Sequence, residues 1–455
     1  MPLAVQVTAV GEAQPIILFV RRQAINLVRN DDSFSYDASG RPIGAFWRGV
    51  NYRRSLENRW LSKWSERPQG ERVRQRRWLA PGEAHSLLDQ ARVLAGAARS
   101  TLLTGAASLY RADGQLTADD LTAAIAALDR ILAWDWAALE ADRERFLAVY
   151  KPIGILPPDQ YLALVLQATE GCSHNACTFC TFYRDRSFRI KGTDEFAAHI
   201  RAALDFFGPA ISLRRTIFLG DANALVIPFP RLQALFDVIH EQLSISYKPS
   251  AVSHQPSAPD GRSTVHSPRS ATSAWRTVHG PPSTVHVCTG IYSFMDAFHV
   301  HRKSVTEWRL LGERGLRRVY IGMESGDDAL LRFLNKPGDA ADIVSAVRHL
   351  KEAGIAVSCI ILLGAGGEPF FASHVQYTLD AINAMPLAGG DLIYFSDFVD
   401  LPGSEYAQLA ASAGIEPLTP ARLREQEALL RAGFRWHDPA HPPQISRYDI
   451  REFLY

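Results

Sequence analysis

At 455 residues the chain can hold two or three domains and a sizeable core, and 47% hydrophobic with 21% charged residues is a globular composition. A net charge of +1 excludes a global pull towards nucleic acid or an anionic membrane surface. No apolar run approaches the roughly 20 residues of a membrane helix, and residues 1–15 lack a charged-then-apolar signal pattern. Five cysteines, odd in number and clustered, suit metal ligation better than disulfides, so a reducing cytoplasm is the expected compartment, with no membrane partner.

Residues 1–14 carry no period and read as a loose leader. Over residues 33–64, Phe34 and Tyr36 alternate with Ser33, Ser35 and Asp37, and the turn-forming run 38–42 follows, which predicts a strand meander. Residues 48–78 are basic, with ten Lys or Arg against three Glu, and Trp60, Trp64 and Trp78 are interleaved. That mixture suits an RNA strand, but charge runs more often solvate a surface while tryptophans pin it to its neighbour. Residues 81–98 and 117–150 read as helical, the second opening on Thr117 with Asp119 and Asp120 in its first turn and a stripe of Leu121, Ile125, Leu128 and Leu132.

From residue 158 onward apolar runs alternate with helical patterns. Strands are expected at 161–167, 216–219, 285–291, 318–322, 355–363 and 392–399, with helices at 193–207, 230–243, 304–314, 339–353 and 371–384. This predicts an α/β fold, a partial (βα)6 TIM-like barrel of parallel strands with right-handed crossovers. The expected boundaries are an N-terminal region of strand meander plus helices at 1–156, the partial barrel at 157–406, and a helical C-terminal extension at 407–455. A Ser-, Pro- and His-rich stretch at 247–284, with near-repeats of Thr-Val-His, reads as a disordered low-complexity insertion.

The densest chemistry lies at residues 171–183, GCSHNACTFCTFY, directly after the first expected strand. Cys172, Cys177 and Cys180 converge on one short loop, at the strand end where chemistry collects in parallel α/β folds. Three thiolates this close suit an iron–sulfur cluster, and with His174 as a fourth ligand they would suit zinc in a Cys3His binding module. Cys288 and Cys359 sit inside apolar runs and read as small buried hydrophobes. Small residues and acids mark the other strand ends: Gly220-Asp221, Glu324-Ser325-Gly326, and the glycines from Gly364 to Glu368.

With these residues assembled, the chain resembles the radical S-adenosylmethionine (radical SAM) superfamily over residues 157–406. The resemblance implies a [4Fe–4S] cluster on Cys172, Cys177 and Cys180, in a CX4CX2C spacing where the family usually has three residues in the first gap, with Phe179 as the aromatic before the last cysteine. It implies SAM held by Gly220 and Asp221 after the second strand, by Glu324 and Ser325 after the fourth, and by Gly364 after the fifth, with residues 401–406 after the sixth. Three cysteines leave one iron of a cubane free, and the resemblance implies that SAM chelates it and is cleaved reductively to a 5′-deoxyadenosyl radical. An electron donor such as a flavodoxin or ferredoxin and a small-molecule substrate are the implied partners, and nucleic acid is the alternative substrate. No cysteine precedes Cys172 and one alone, Cys359, follows the fourth strand, so ligands for a second cluster are missing. Strands before helices in the N-terminal region do not match a cobalamin-binding domain. Tyr448 and Tyr455 are expected beside the substrate; catalytic residues and the substrate itself are not readable.

Overall fold

The computed structural model describes residues 3–8, 14–67, 73–104, 107–110, 115–245 and 287–455, so the insertion expected at 247–284 lies outside the described residues. The chain first makes a run of antiparallel hairpins: β1 (Leu3–Val7), β2 (Ile16–Val20), β3 (Ala24–Arg29), β4 (Asp32–Asp37), β5 (Pro42–Trp47), β6 (Val50–Arg54), β7 (Trp60–Glu66) and β8 (Val73–Trp78). After α1 (Pro81–Leu103), the short β9 (Ala107–Leu109) pairs with β1, giving the order β8-β7-β6-β5-β4-β3-β2-β1-β9. The loose leader expected over residues 1–14 is corrected for residues 3–8, while residues 1–2 and 9–13 lie outside the described residues. Val5 and Val7 are buried while their neighbours are half-buried, and β1 pairs on both sides, with β2 and β9. Five residues were too few to show a period, and the pairing that orders them comes from elsewhere in the chain.

The dry face of this sheet packs on α1 and α2 (Ala118–Leu132), where Val5, Leu18, Ile25 and Leu27 meet Leu87, Leu94, Ala124 and Leu128. The single helical stretch expected at 117–150 is two helices. Helix α3 (Trp136–Val149) restarts because the Asp135 carboxylate accepts from the Ala138 amide at 2.8 Å, a capping bond. Its Phe146, and Tyr150 just beyond, belong to the second core.

That second core surrounds a parallel sheet. Strand β10 (Leu164–Gln167) leads into a small antiparallel pair, β11 (Thr169–Glu170) with β12 (Arg189–Ile190), then α4 (Thr193–Phe207), β13 (Ile217–Gly220) and α5 (Phe229–Gln242). The short strands β14 (Ser244–Ile245) and β15 (Val287–Cys288) pair with each other. Then follow β16 (Ile291–Met295), α6 (Val305–Glu313), β17 (Leu316–Glu324), α7 (Asp328–Phe333), α8 (Ala340–Glu352), β18 (Ala356–Leu363), α9 (Gly367–Asn383), β19 (Leu392–Asp397), α10 (Tyr406–Ser412), α11 (Pro420–Gly433) and β20 (Gln444–Tyr448). The sheet order is β10-β13-β16-β17-β18-β19-β20, all parallel, which is the expected partial barrel with one strand more. Strands β10 and β13 are buried at every position, as strands covered on both faces are.

Two sequence expectations change. The third barrel strand, expected at 285–291, is Ile291–Met295, and Val287–Cys288 pairs aside with β14. The C-terminal stretch is helical through α10 and α11, and then Gln444–Tyr448 adds a seventh strand beside β19.

The barrel stays open, and side chains cover the free edge of β10. Tyr455 Oη accepts from the Val165 amide at 3.1 Å and donates to the Ala163 carbonyl at 3.0 Å. Tyr150 Oη donates to the Val165 carbonyl at 3.0 Å, and His199 Nε2 accepts from the Gln167 amide at 3.0 Å. An edge satisfied in this way cannot recruit another strand.

Candidate functional site

The cysteine loop leaves the sheet at the C-terminal end of β10 and is tied down on several sides. The Thr178 amide donates to the Leu334 carbonyl at 3.0 Å, and the Thr178 carbonyl accepts from the amides of Glu405 and Tyr406. Asn335 donates to the Ala176 carbonyl at 2.7 Å. Arg184 donates to the carbonyls of Cys177 at 3.0 Å and Cys180 at 3.1 Å while pairing with Glu405 at 2.9 Å. Gly171 has φ +77°, and a Cβ there would approach the Ser187 carbonyl oxygen to 3.0 Å, so the turn requires glycine.

Cys172, Cys177 and Cys180 border one cavity of about 210 Å³ at the C-terminal mouth of the sheet. All three are half-buried and free of disulfides. Burial pushes the Cys177 thiol up to about 12, partly countered by Lys336, and burial raises Cys180 as well. Their protons must therefore be displaced when a metal binds. Among the described residues no three His, Cys, Asp or Glu side chains are gathered closely enough to hold a single ion. His174, the fourth ligand of the zinc alternative, has its Nε2 2.8 Å from the Asn335 carbonyl oxygen. Three thiols on one wall, with no fourth cysteine beside them, fit a cluster with one iron left open to a second ligand.

The rest of the wall is mostly apolar, with Phe179, Phe182, Phe294, Ile360 and Phe398 among its residues. Its polar groups come from four strand ends. Glu324, held at φ +60° where the β17–β18 register shifts, is paired with Lys336 at 2.7 Å. Asn223 donates to Ser173 of the cysteine loop at 2.9 Å and to the Asp296 carboxylate, which also bonds the His299 ring. Asp397 is paired with Arg447 of β20, and Tyr448 closes the wall above them.

Of the residues singled out in the sequence, Phe179 and Glu324 face the cavity with the three cysteines. Gly220, Asp221, Ser325 and Gly364 lie at the same rim but do not line it. Asp221 accepts from the Gly171 amide at 3.1 Å and from Gln167 at 2.8 Å, so it braces the start of the cysteine loop, and burial lifts its carboxyl to about 6. Ser325 bonds His374 Nδ1 at 2.6 Å, and the Gly364 amide donates to Gln426 at 2.8 Å. Tyr448 lines the cavity as expected. Tyr455 does not: its hydroxyl is held by β10 in the core. Cys288 and Cys359 are fully buried, with thiols raised to about 12. The sequence reading passed over Asp296 because it placed the third strand too early, which hid the residue that ends it. Lys336 and Arg184 carry no motif signal, because their nearest partners, Glu324 for Lys336 and the Cys177 and Cys180 carbonyls for Arg184, are set by loop geometry and not by a helical or strand period.

The basic stretch 48–78 is largely paired within the molecule. Lys63 meets Glu452 at 2.9 Å, Arg76 meets Asp449 at 2.8 Å, and Arg77 meets Glu83 at 2.7 Å. Arg59 stacks on Trp78 at 4.0 Å. These contacts favour the packing role of the stretch over a nucleic-acid surface.

Residues 295–372, from the end of β16 into α9, match the model of the radical SAM superfamily. Over these residues the chain is similar to the radical SAM superfamily. The match stops short of the cysteine loop, which the parallel sheet brings to the same mouth. Radical SAM proteins use a [4Fe–4S] cluster and S-adenosylmethionine. Among curated proteins none matches this sequence. Solved structures that resemble it include the cobalamin-dependent S-adenosylmethionine radical enzyme OxsB with aqua-cobalamin and S-adenosylmethionine bound, at 14% identity, 60% of this chain, 31% of that one and a TM-score of 0.33. Coproporphyrinogen III oxidase (HemN) from Escherichia coli aligns at 14% identity over 66% of this chain and 57% of that one, with a TM-score of 0.37. HydG, a maturase of the [FeFe]-hydrogenase, aligns at 12% identity over 71% and 64%, with a TM-score of 0.36. The chain spans about a third of the length of OxsB.

Proposed function

We propose that this protein is a radical SAM enzyme that holds one [4Fe–4S] cluster on Cys172, Cys177 and Cys180, binds S-adenosylmethionine in the adjoining cavity, and acts on a small organic substrate. The observation that carries the reading is the position of the three thiols on one wall of a largely apolar cavity, at the mouth of the sheet whose strands β17 and β18 bear the family match. When bound, the cluster and SAM supply reductive cleavage of a sulfonium and hydrogen-atom abstraction.

The protein's own residues orient and shield. Arg184 and Asn335 fix the carbonyls of the loop, so the thiols keep their places as they lose their protons. Phe179, Phe182 and Phe398 exclude water from the space beside them. Glu324 and Asn223 offer acceptor and donor atoms to the polar end of a SAM molecule, and Asp221 positions the loop through Gly171. Substrate fills what remains towards Asp296, Asp397 and Tyr448. An external one-electron reductant of the flavodoxin or ferredoxin class completes the set.

The test is anaerobic reconstitution with iron and sulfide, followed by reduction in the presence of SAM. About four irons and four sulfides per chain, with release of methionine and 5′-deoxyadenosine, are expected. Cys177→Ala should lose both the cluster absorbance and the product. Zinc bound in place of iron, or a full cluster in Cys177→Ala, would refute the assignment.

A further inference from the structure

A second cavity, of about 60 Å³, lies between the N-terminal sheet, the start of the barrel and the last residues of the chain. Four arginines border it: Arg41, Arg53, Arg54 and Arg214. Such charges are costly to bury unless each has a partner and well-aligned hydrogen bonds. Asp142 is the main counter-ion, 3.0 Å from Arg41 and 3.6 Å from Arg54, both pairs almost wholly buried. Asp37, the acid on the cavity wall, spends one oxygen on Ser39 and on the Arg41 amide. Glu452, the acid nearest in charge to Arg53, is taken by Lys63 at 2.9 Å.

The donors are not all used. Arg41 is 4% exposed, and its Nη2 reaches Asp142 and the Phe206 carbonyl, yet its Nε and Nη1 have no hydrogen-bond partner among the described residues. The ring faces of Trp134 and Phe206 hold the same guanidinium at 5.1 and 4.7 Å and fix its direction. Arg53 borders the cavity half-buried, its guanidinium 5.8 Å from the Tyr161 ring. Arg54 spends its fork on Asn58, the Pro42 carbonyl and Asp142, and Arg214 donates to the Ala163 carbonyl. With Arg41 Nε and Nη1 open and Arg53 on the wall, a pocket holding more guanidinium groups than carboxylates complements a planar or tetrahedral oxyanion, which accepts two parallel N–H bonds from one fork.

We infer that this cavity is a binding site for a small oxyanion of phosphate or carboxylate chemistry, which ties the N-terminal sheet to the barrel. The volume limits the ligand to one such group. The site lies away from the cysteine mouth and shares no lining residue with that cavity, so it stands independently of the radical reading.

The experiment is thermal unfolding of the full chain in sodium phosphate, sodium acetate and sodium chloride at matched ionic strength. A ligand that binds the native state alone raises Tm as its concentration passes its dissociation constant. A saturable rise with phosphate or acetate beyond that with chloride is expected, and whichever anion saturates at the lower concentration identifies the headgroup. Arg53→Ala, a half-buried change outside the Asp142 pairs, should shift the midpoint of that rise to at least tenfold higher anion. Arg53→Lys, which keeps the charge but not the fork, should shift it at least threefold and serves if the alanine variant does not fold. A response no greater than that to chloride overturns the inference, as does a midpoint left in place by both variants.

Discussion

At the residue scale, two buried groups set testable free energies. Lys336 and Glu324 form an ion pair at 2.7 Å whose side chains are 15% and 8% exposed. Breaking such a pair from one side leaves a buried charge, and costs of roughly 3 kcal/mol are usual. Lys336→Met should lower unfolding stability by about that amount, and Glu324→Gln added to it should restore most of the loss. Urea denaturation of the two variants checks this, and equal stability of the single and double variants would contradict it.

His199 supplies a pH dependence. Burial, with Lys191 nearby, lowers its pKa from the ordinary 6.5 to about 3, and its Nε2 accepts from the Gln167 amide as a neutral ring. In the unfolded chain the ring takes a proton near pH 6.5, while in the fold it does so near pH 3. The stabilisation is therefore complete above about pH 6.5 and is lost as pH falls towards 3, by up to ~1.4 kcal/mol per pH unit. His374, lowered by burial to about 4, adds a second loss of the same sign. His199→Gln keeps an acceptor for the amide but does not titrate. Its urea midpoints at pH 7.5, 6 and 5 should fall less steeply than those of the parent, and parallel slopes would exclude His199 as a source.

At the element scale, the open edge of β10 is the feature most dependent on distant side chains. Tyr455 serves both Val165 N–H and Ala163 C=O. Tyr455→Phe should cost about 1–3 kcal/mol, since it leaves a buried amide without a partner. Tyr455→Ala should cost about 3–5 kcal/mol by adding the lost packing against Phe146 and Tyr150. A phenylalanine variant as stable as the parent, measured by chemical denaturation, would show that water covers the edge equally well. Strand β20 acts at the same scale. It completes the sheet beside β19 and carries Tyr448 to the cavity, so the last helices lead to the cavity wall and not away from it.

At the scale of the whole molecule, two cores meet across a buried charge. Asp142, on α3 of the barrel core, pairs with Arg41 and Arg54 of the N-terminal sheet. Asp142→Asn should destabilise the protein by about 3–5 kcal/mol, because two guanidinium groups lose their counter-ion together. Separate unfolding transitions of the sheet and barrel are expected in that variant, read by calorimetry; one unchanged transition would mean that apolar contacts alone join the halves.

The sequence by itself determined the alternation of strands and helices from β10 onward, because parallel strands buried on both faces leave continuous apolar runs between amphipathic helices. It also determined the cysteine loop, since ligand spacing inside one loop is a local property. Tertiary structure alone decided the rest. Residues 3–7 become a strand because β2 pairs along their whole length and β9, a hundred residues later, pairs with Val5–Val7 on the other side. Asp296 faces Asn223 because strand ends far apart in the chain share one mouth. Asp221 meets Gly171, 50 residues before it, and Gln167, 54 residues before it, at the same strand ends. Spacing along a chain reports which residues share a loop or a helix face, whereas a partner reached across a sheet is set by packing that no local pattern records.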